Sequence, residues 1–116
     1  MQPNRREYQR YQVAVTAEIE VDGDTKIGET RDISLGGVSV SIDCQLEENS
    51  TVDLALILTE DGIENPDEDP FETKAKVIWI APADEGQFMI GVRFLDLSQA
   101  KTAQLKRFVD AVADNG

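Results

Sequence analysis

The sequence predicts an all-β domain, an antiparallel barrel or sandwich, that ends in one amphipathic helix. Three observations carry this. Five apolar runs alternate with a period of two and a sixth run is a weaker strand, turn residues fill most of the gaps between them, and only the last stretch changes to helical spacing. A length of 116 residues with 41% hydrophobic and 29% charged residues suits a single domain around a single core.

Taken in order, "VAVTAEIEV" puts Val13, Val15, Ala17, Ile19 and Val21 on one face and Thr16, Glu18 and Glu20 on the other, as a half-buried strand does. Asp22-Gly23-Asp24 then reads as a hairpin turn. "TKIGETRDIS" is a weaker strand, broken by Gly36 and Gly37. "VSVSI" turns Val38, Val40 and Ile42 to one side, and "TVDLALIL" does the same with Val52, Leu54, Leu56 and Leu58. "TEDGIENPDEDPFE" carries seven acids and two prolines, and reads as a long solvated loop. Its carboxylates are dense enough to raise a calcium site, but the ordered Asp-x-Asp-x-Asp-Gly spacing is missing. "TKAKVIWI" aligns Ala75, Val77 and Trp79, and "QFMIGVRF" aligns Phe88, Ile90, Val92 and Phe94. In "LSQAKTAQLKRFVDAV", Leu105, Phe108, Val109 and Val112 fall at helical spacing, with Ser98 as N-cap and Lys106 and Arg107 toward the C-terminal half.

The absences narrow the function. There is no histidine and Cys44 is the only cysteine, so His-based zinc sites, Ser-His-Asp triads and an internal disulfide are excluded. No nucleophile–base pair or metal-ligand spacing stands out, and the expectation is a protein that is not an enzyme and has no metal or cofactor. No apolar run approaches the roughly 20 residues that span a bilayer, and no apolar signal segment follows the N-terminus. The expected setting is cytoplasmic, without membrane insertion.

Charge is distributed unevenly. Eleven basic residues stand against 23 acidic ones, a formal net charge of −12. Residues 1–12 hold three arginines and one acid, or +2, which leaves eight basic and 22 acidic residues, or −14, for the rest. An acidic field of that size repels DNA, RNA and anionic membranes, so an anionic ligand must be small and captured at contact range.

Three features could capture it. Arg6 and Arg10 form Arg-x-x-x-Arg, preceded by Arg5. The guanidinium fork matches both phosphate and the acceptor edge of guanine, although exposed arginines also serve simply as a solubilising tail. In "RDISLGG", Asp32 and Ser34 alternate at a strand end before Gly36 and Gly37. A carboxylate there can accept the N1–H and N2–H of guanine, a hydroxyl can add a bond, and glycine lets a ring come close, although the same residues make ordinary turns. Trp79, the only tryptophan, is either a core residue or a stacking face for a base.

Together, Arg6-x-x-x-Arg10 before the first strand and Asp32-x-Ser34-x-x-Gly37 at the end of the second form a specific combination. It resembles the PilZ domain family. "AKVIW" and "IGVRF" look like that family's later strands, and the likeness runs from about Arg5 to Val112. The resemblance implies a six-stranded antiparallel β-barrel with a C-terminal helix, that is, an arm over residues 1–12, flexible until ligand binds, and a barrel domain over 13–116. It also implies a receptor for the bacterial second messenger cyclic di-GMP that signals to an unidentified effector protein. Arg6 and Arg10 would hold phosphates and guanine faces, Asp32 and Ser34 would read a guanine edge, and Gly36 and Gly37 would give it room. Trp79 matches a position where relatives place an aromatic against the ligand. An arginine at position 5 goes with two ligand molecules per domain rather than one. The competing reading within the same fold is a ligand-independent adaptor that recognises a protein.

Overall fold

The computed structural model describes residues 9–60, 63–64 and 69–115. Its elements are β1 (Tyr11–Gln12), β2 (Thr16–Val21), β3 (Asp24–Ile33), β4 (Gly37–Ile42), β5 (Thr51–Leu56), a small hairpin of β6 (Thr59–Glu60) and β7 (Ile63–Glu64), β8 (Phe71–Pro82), β9 (Phe88–Leu95) and α1 (Gln99–Asn115). The antiparallel order β3-β2-β5-β8-β9-β4 closes on itself through β4–β3 pairing. The result is a six-stranded barrel, and β1 adds to β3 just beyond the end of β2. Closure leaves the six barrel strands without a free edge, which removes the usual risk of edge-to-edge association.

The alternating residues meet inside. Ala17, Ile19, Leu54, Leu56, Ile90 and Val40 are fully buried, as the period-two pattern requires. Val21 and Asp24 pair across a two-residue turn in which Asp22 and Gly23 both have positive φ, the hairpin geometry whose twist suits the flanking strands. The helix caps one end of the core. Ser98 Oγ accepts the Lys101 backbone N–H at 3.1 Å, and Leu105, Phe108 and Val109 are buried beneath it. The expected N-cap and apolar face are therefore both present.

Three elements differ from the sequence reading. The run from Val13 to Val21 is not one strand: β1 and β2 are separated at residues 13–15, and Thr30 bridges the gap. Its hydroxyl accepts the Val15 N–H at 2.9 Å and donates to the Val13 carbonyl at 2.6 Å. Tyr11 and Gln12, assigned to the N-terminal arm, are strand residues paired with Ile33 and Asp32. The acidic loop is shorter than expected. Residues 61–62 and 65–68 lie outside the described residues, but Phe71 already belongs to β8, is fully buried, and meets Phe94 edge-to-face at 5.4 Å. Among the described residues, no helix is long and apolar enough to cross a membrane.

Candidate functional site

Arg10, Asp32, the Ser34–Gly37 turn and Trp79 converge at the outer wall of the barrel, where β3 and β8 each carry a β-bulge. In β3 the pairing with β4 slips between Thr30 and Asp32, and in β8 the pairing with β9 slips between Val77 and Trp79. A bulge inserts one residue and reverses which face the following side chains occupy. Trp79 was expected beside Ala75 and Val77, but those two are buried while Trp79 is 37% exposed and Ile78 39% exposed. After the slip, Ile80 faces Ile90 and returns to the core side, leaving Trp79 outside.

Register then aligns one row across five strands: Gln12, Asp32, Ser39, Gly91 and Trp79 are successive cross-strand partners. Directly opposed residues share a face of the sheet. The indole of Trp79 lies over Gly91, where a Cβ would overlap its Nε1 and Cε2 atoms. A glycine at this point is what allows the ring to lie flat against the wall.

The segment after Asp32 is held by its own serine. Ser34 Oγ accepts the backbone N–H groups of Gly36 at 3.1 Å and Gly37 at 3.2 Å, and donates to the Gly37 carbonyl at 3.3 Å. The Ser34 N–H also donates to that carbonyl, at 2.9 Å. The hydroxyl thus has its full set of partners, and the side chain is buried. Gly36 fixes the turn to β9 by accepting the Phe94 N–H at 3.0 Å. At Gly37 a Cβ would overlap the Val92 carbonyl oxygen, so the backbone of β9 itself requires a glycine there.

Arg10, just before β1, donates from Nη1 to Asp32 Oδ1 at 3.0 Å, with side-chain exposures of 39% and 28%. Arg5 and Arg6 lie outside the described residues. Two recesses flank Trp79. One, of ≈ 660 Å³, includes Gln12, Arg31, Asp32, Ser39 and Trp79 in its lining. The other, of ≈ 270 Å³, includes Arg10, Gly36, Gly37, Trp79 and Arg93. A separate groove of ≈ 610 Å³ lies elsewhere, between β5, β8 and the start of α1, and shares none of the motif residues. Among the described residues, no cluster of Cys, Asp or Glu is arranged to hold a metal ion.

The sequence reading therefore found Arg10, Asp32, Ser34, Gly36, Gly37 and Trp79 as neighbours on one face. It missed Ser39, Gly91 and Arg93. A glycine inside the strand "IGVRF" is a signal of close approach, but what approaches it depends on the β8 bulge.

A family model described as the PilZ domain matches residues 4–111. No curated protein matches the sequence. Among solved structures, the chain is similar to the PilZ domain of YcgR from Escherichia coli with c-di-GMP, at 19% identity and TM-score 0.77, covering 97% of this chain and 94% of that one. It is also similar to the inhibitor of motility MotI/DgrA from Bacillus subtilis, at 17% identity and TM-score 0.76, covering 97% of this chain and 53% of that one. A third likeness is to YcgR from Escherichia coli in complex with c-di-GMP, at 22% identity and TM-score 0.76, covering 96% of this chain and 47% of that one. The chain thus spans about half the length of these last two proteins.

Proposed function

The chain belongs to the PilZ domain family, and on that premise we propose that it is a receptor for cyclic di-GMP that binds on the Trp79 face and signals to a partner protein without catalysis. The observation that carries this reading is the convergence of Arg10, Asp32, the Ser34–Gly37 turn and Trp79 around two adjoining recesses. Each supplies what a guanine nucleotide needs: a cationic fork, a carboxylate, an open backbone turn and a flat aromatic surface.

Binding exchanges one set of contacts for another. The Asp32 carboxylate leaves Arg10 and accepts the N1–H and N2–H of a guanine. Arg10 is released to a phosphate or to the guanine O6/N7 edge, where Arg6 joins it. A half-exposed ion pair such as Arg10–Asp32 contributes only about 0–1 kcal/mol. Each charge-assisted hydrogen bond to the ligand contributes about 1.5–3 kcal/mol, so the exchange favours the bound state. Ser34 acts indirectly, by shaping the turn, because its hydroxyl has no bond to spare.

The recesses on either side of Trp79, together with Arg5, favour two ligand molecules per domain. Bound ligand replaces an arginine-bearing surface with a nucleotide-covered one, and an effector protein can read that change. Burial pushes the Cys44 thiol above its ordinary range, with Asp43 adding to the effect and Lys26 opposing it. The chain's only sulfur nucleophile therefore stays protonated at neutral pH, in keeping with a non-enzymatic role.

Calorimetric titration with cyclic di-GMP tests the reading and gives the stoichiometry. Saturable binding that Arg6→Ala/Arg10→Ala weakens by two orders of magnitude or more is expected. A double variant that binds as tightly as the native protein would overturn it.

A further inference from the structure

We infer that Arg93, with Lys76 beside it, is a phosphate-binding element built into the barrel wall, outside both motifs. The inference rests on the reading of the Trp79 face as a nucleotide site and adds a fixed anion contact to it.

Register aligns Gly37, Arg93 and Lys76 as successive partners across β4, β9 and β8. This row runs parallel to the Ser39–Gly91–Trp79 row, two β9 residues along, or about 7 Å. Arg93 is exposed and lines the same recess as Arg10, Gly36 and Trp79. One arginine thus comes to the recess from the segment before β1 and the other from a central barrel strand.

Two cations directly opposed on neighbouring strands repel each other. Here they do so in a chain with 11 basic and 23 acidic residues, where acids are plentiful. Two positions earlier on β8, Lys74 is given a carboxylate, with Asp53 at 2.8 Å. Among the described residues, neither Lys76 nor Arg93 makes an ion pair. An anion seated between them turns the repulsion into attraction, and the planar guanidinium fork suits two oxygens of a phosphodiester. The separation of the two rows is on the scale of a nucleoside, which lets a base lie on Trp79 while its phosphate meets Arg93. Arg93 sits on a strand paired on both sides, so little ordering is needed to use it.

The test compares the native protein with Arg93→Ala, Arg93→Lys and, as a control away from the site, Lys74→Ala. Cyclic di-GMP affinity is measured by calorimetry, and folding is checked by thermal melts. Arg93→Ala is expected to raise Kd at least tenfold with an unchanged melt, Arg93→Lys to fall between, and Lys74→Ala to match the native protein. Equal affinity for Arg93→Ala and the native protein would overturn the inference while leaving the proposed function standing. If the native protein binds no cyclic di-GMP, the proposed function fails, and inorganic pyrophosphate decides the anion site. Backbone amide shifts at Gly37 and Gly91–Arg93 that appear in the native protein and vanish in Arg93→Ala support it, and their absence from the native protein overturns it.

Discussion

Thr30 is fully buried, yet polar, and its position explains why it is tolerated. Its hydroxyl satisfies one donor and one acceptor where the β1–β2 run leaves the ladder, so no polar atom is stranded. Thr30→Val keeps the shape and removes both bonds, leaving the Val15 N–H and the Val13 carbonyl unpaired. We expect a loss of about 1–3 kcal/mol, read as a lower urea midpoint at constant slope. Thr30 also holds the segment that follows β1, the strand that places Gln12 opposite Asp32 and Arg10 beside it. At this scale the sequence was informative about Arg10 and Asp32 through the pairing of their two motifs, and left Trp79 open between a core position and a stacking face. It was silent about Ser39, because serine acquires meaning only from the partners that register gives it.

The two glycines of the site do different work at the level of strands. Gly37 lets β4 approach β9, and an added methyl meets a backbone oxygen that cannot move alone. Gly91 makes space only for the half-exposed Trp79 ring, which can swing away. Gly37→Ala should therefore lower the melting temperature by several degrees. Gly91→Ala should leave it nearly unchanged, while shifting Trp79 fluorescence and weakening cyclic di-GMP binding. A Gly91→Ala variant with native emission and native affinity would remove Trp79 from the site. The helix was legible because its cap and its apolar stripe are local features. β3 was only weakly legible: its first half is exposed, Ile27 being 62% so, and its strand character comes from β2 on one side and β4 on the other.

The whole molecule joins an acidic body to a short basic segment. A net charge of −12 opposes approach of a dianionic ligand, so affinity must arise from contacts at hydrogen-bond range. Nothing in the described core precedes Tyr11. Deletion of residues 1–8 should therefore preserve the cooperative thermal transition and abolish measurable cyclic di-GMP binding, because Arg5 and Arg6 are lost. A truncated protein that binds normally would assign capture to the barrel wall alone.

The sequence by itself determined the all-β class, the strand faces away from the β8 bulge, the helix and the pairing of two arginine- and aspartate-bearing motifs. These are encoded by periodicity and by side-chain chemistry, which act within a few residues. Periodicity alone left barrel and sandwich open, and only the tertiary structure decided that Ser34 is spent on its own turn and that Trp79 faces outward. The physical reason is the parity of a strand. One inserted residue at the β8 bulge exchanges inside for outside, and a bulge is fixed by how two strands pair, not by the alternation of either one.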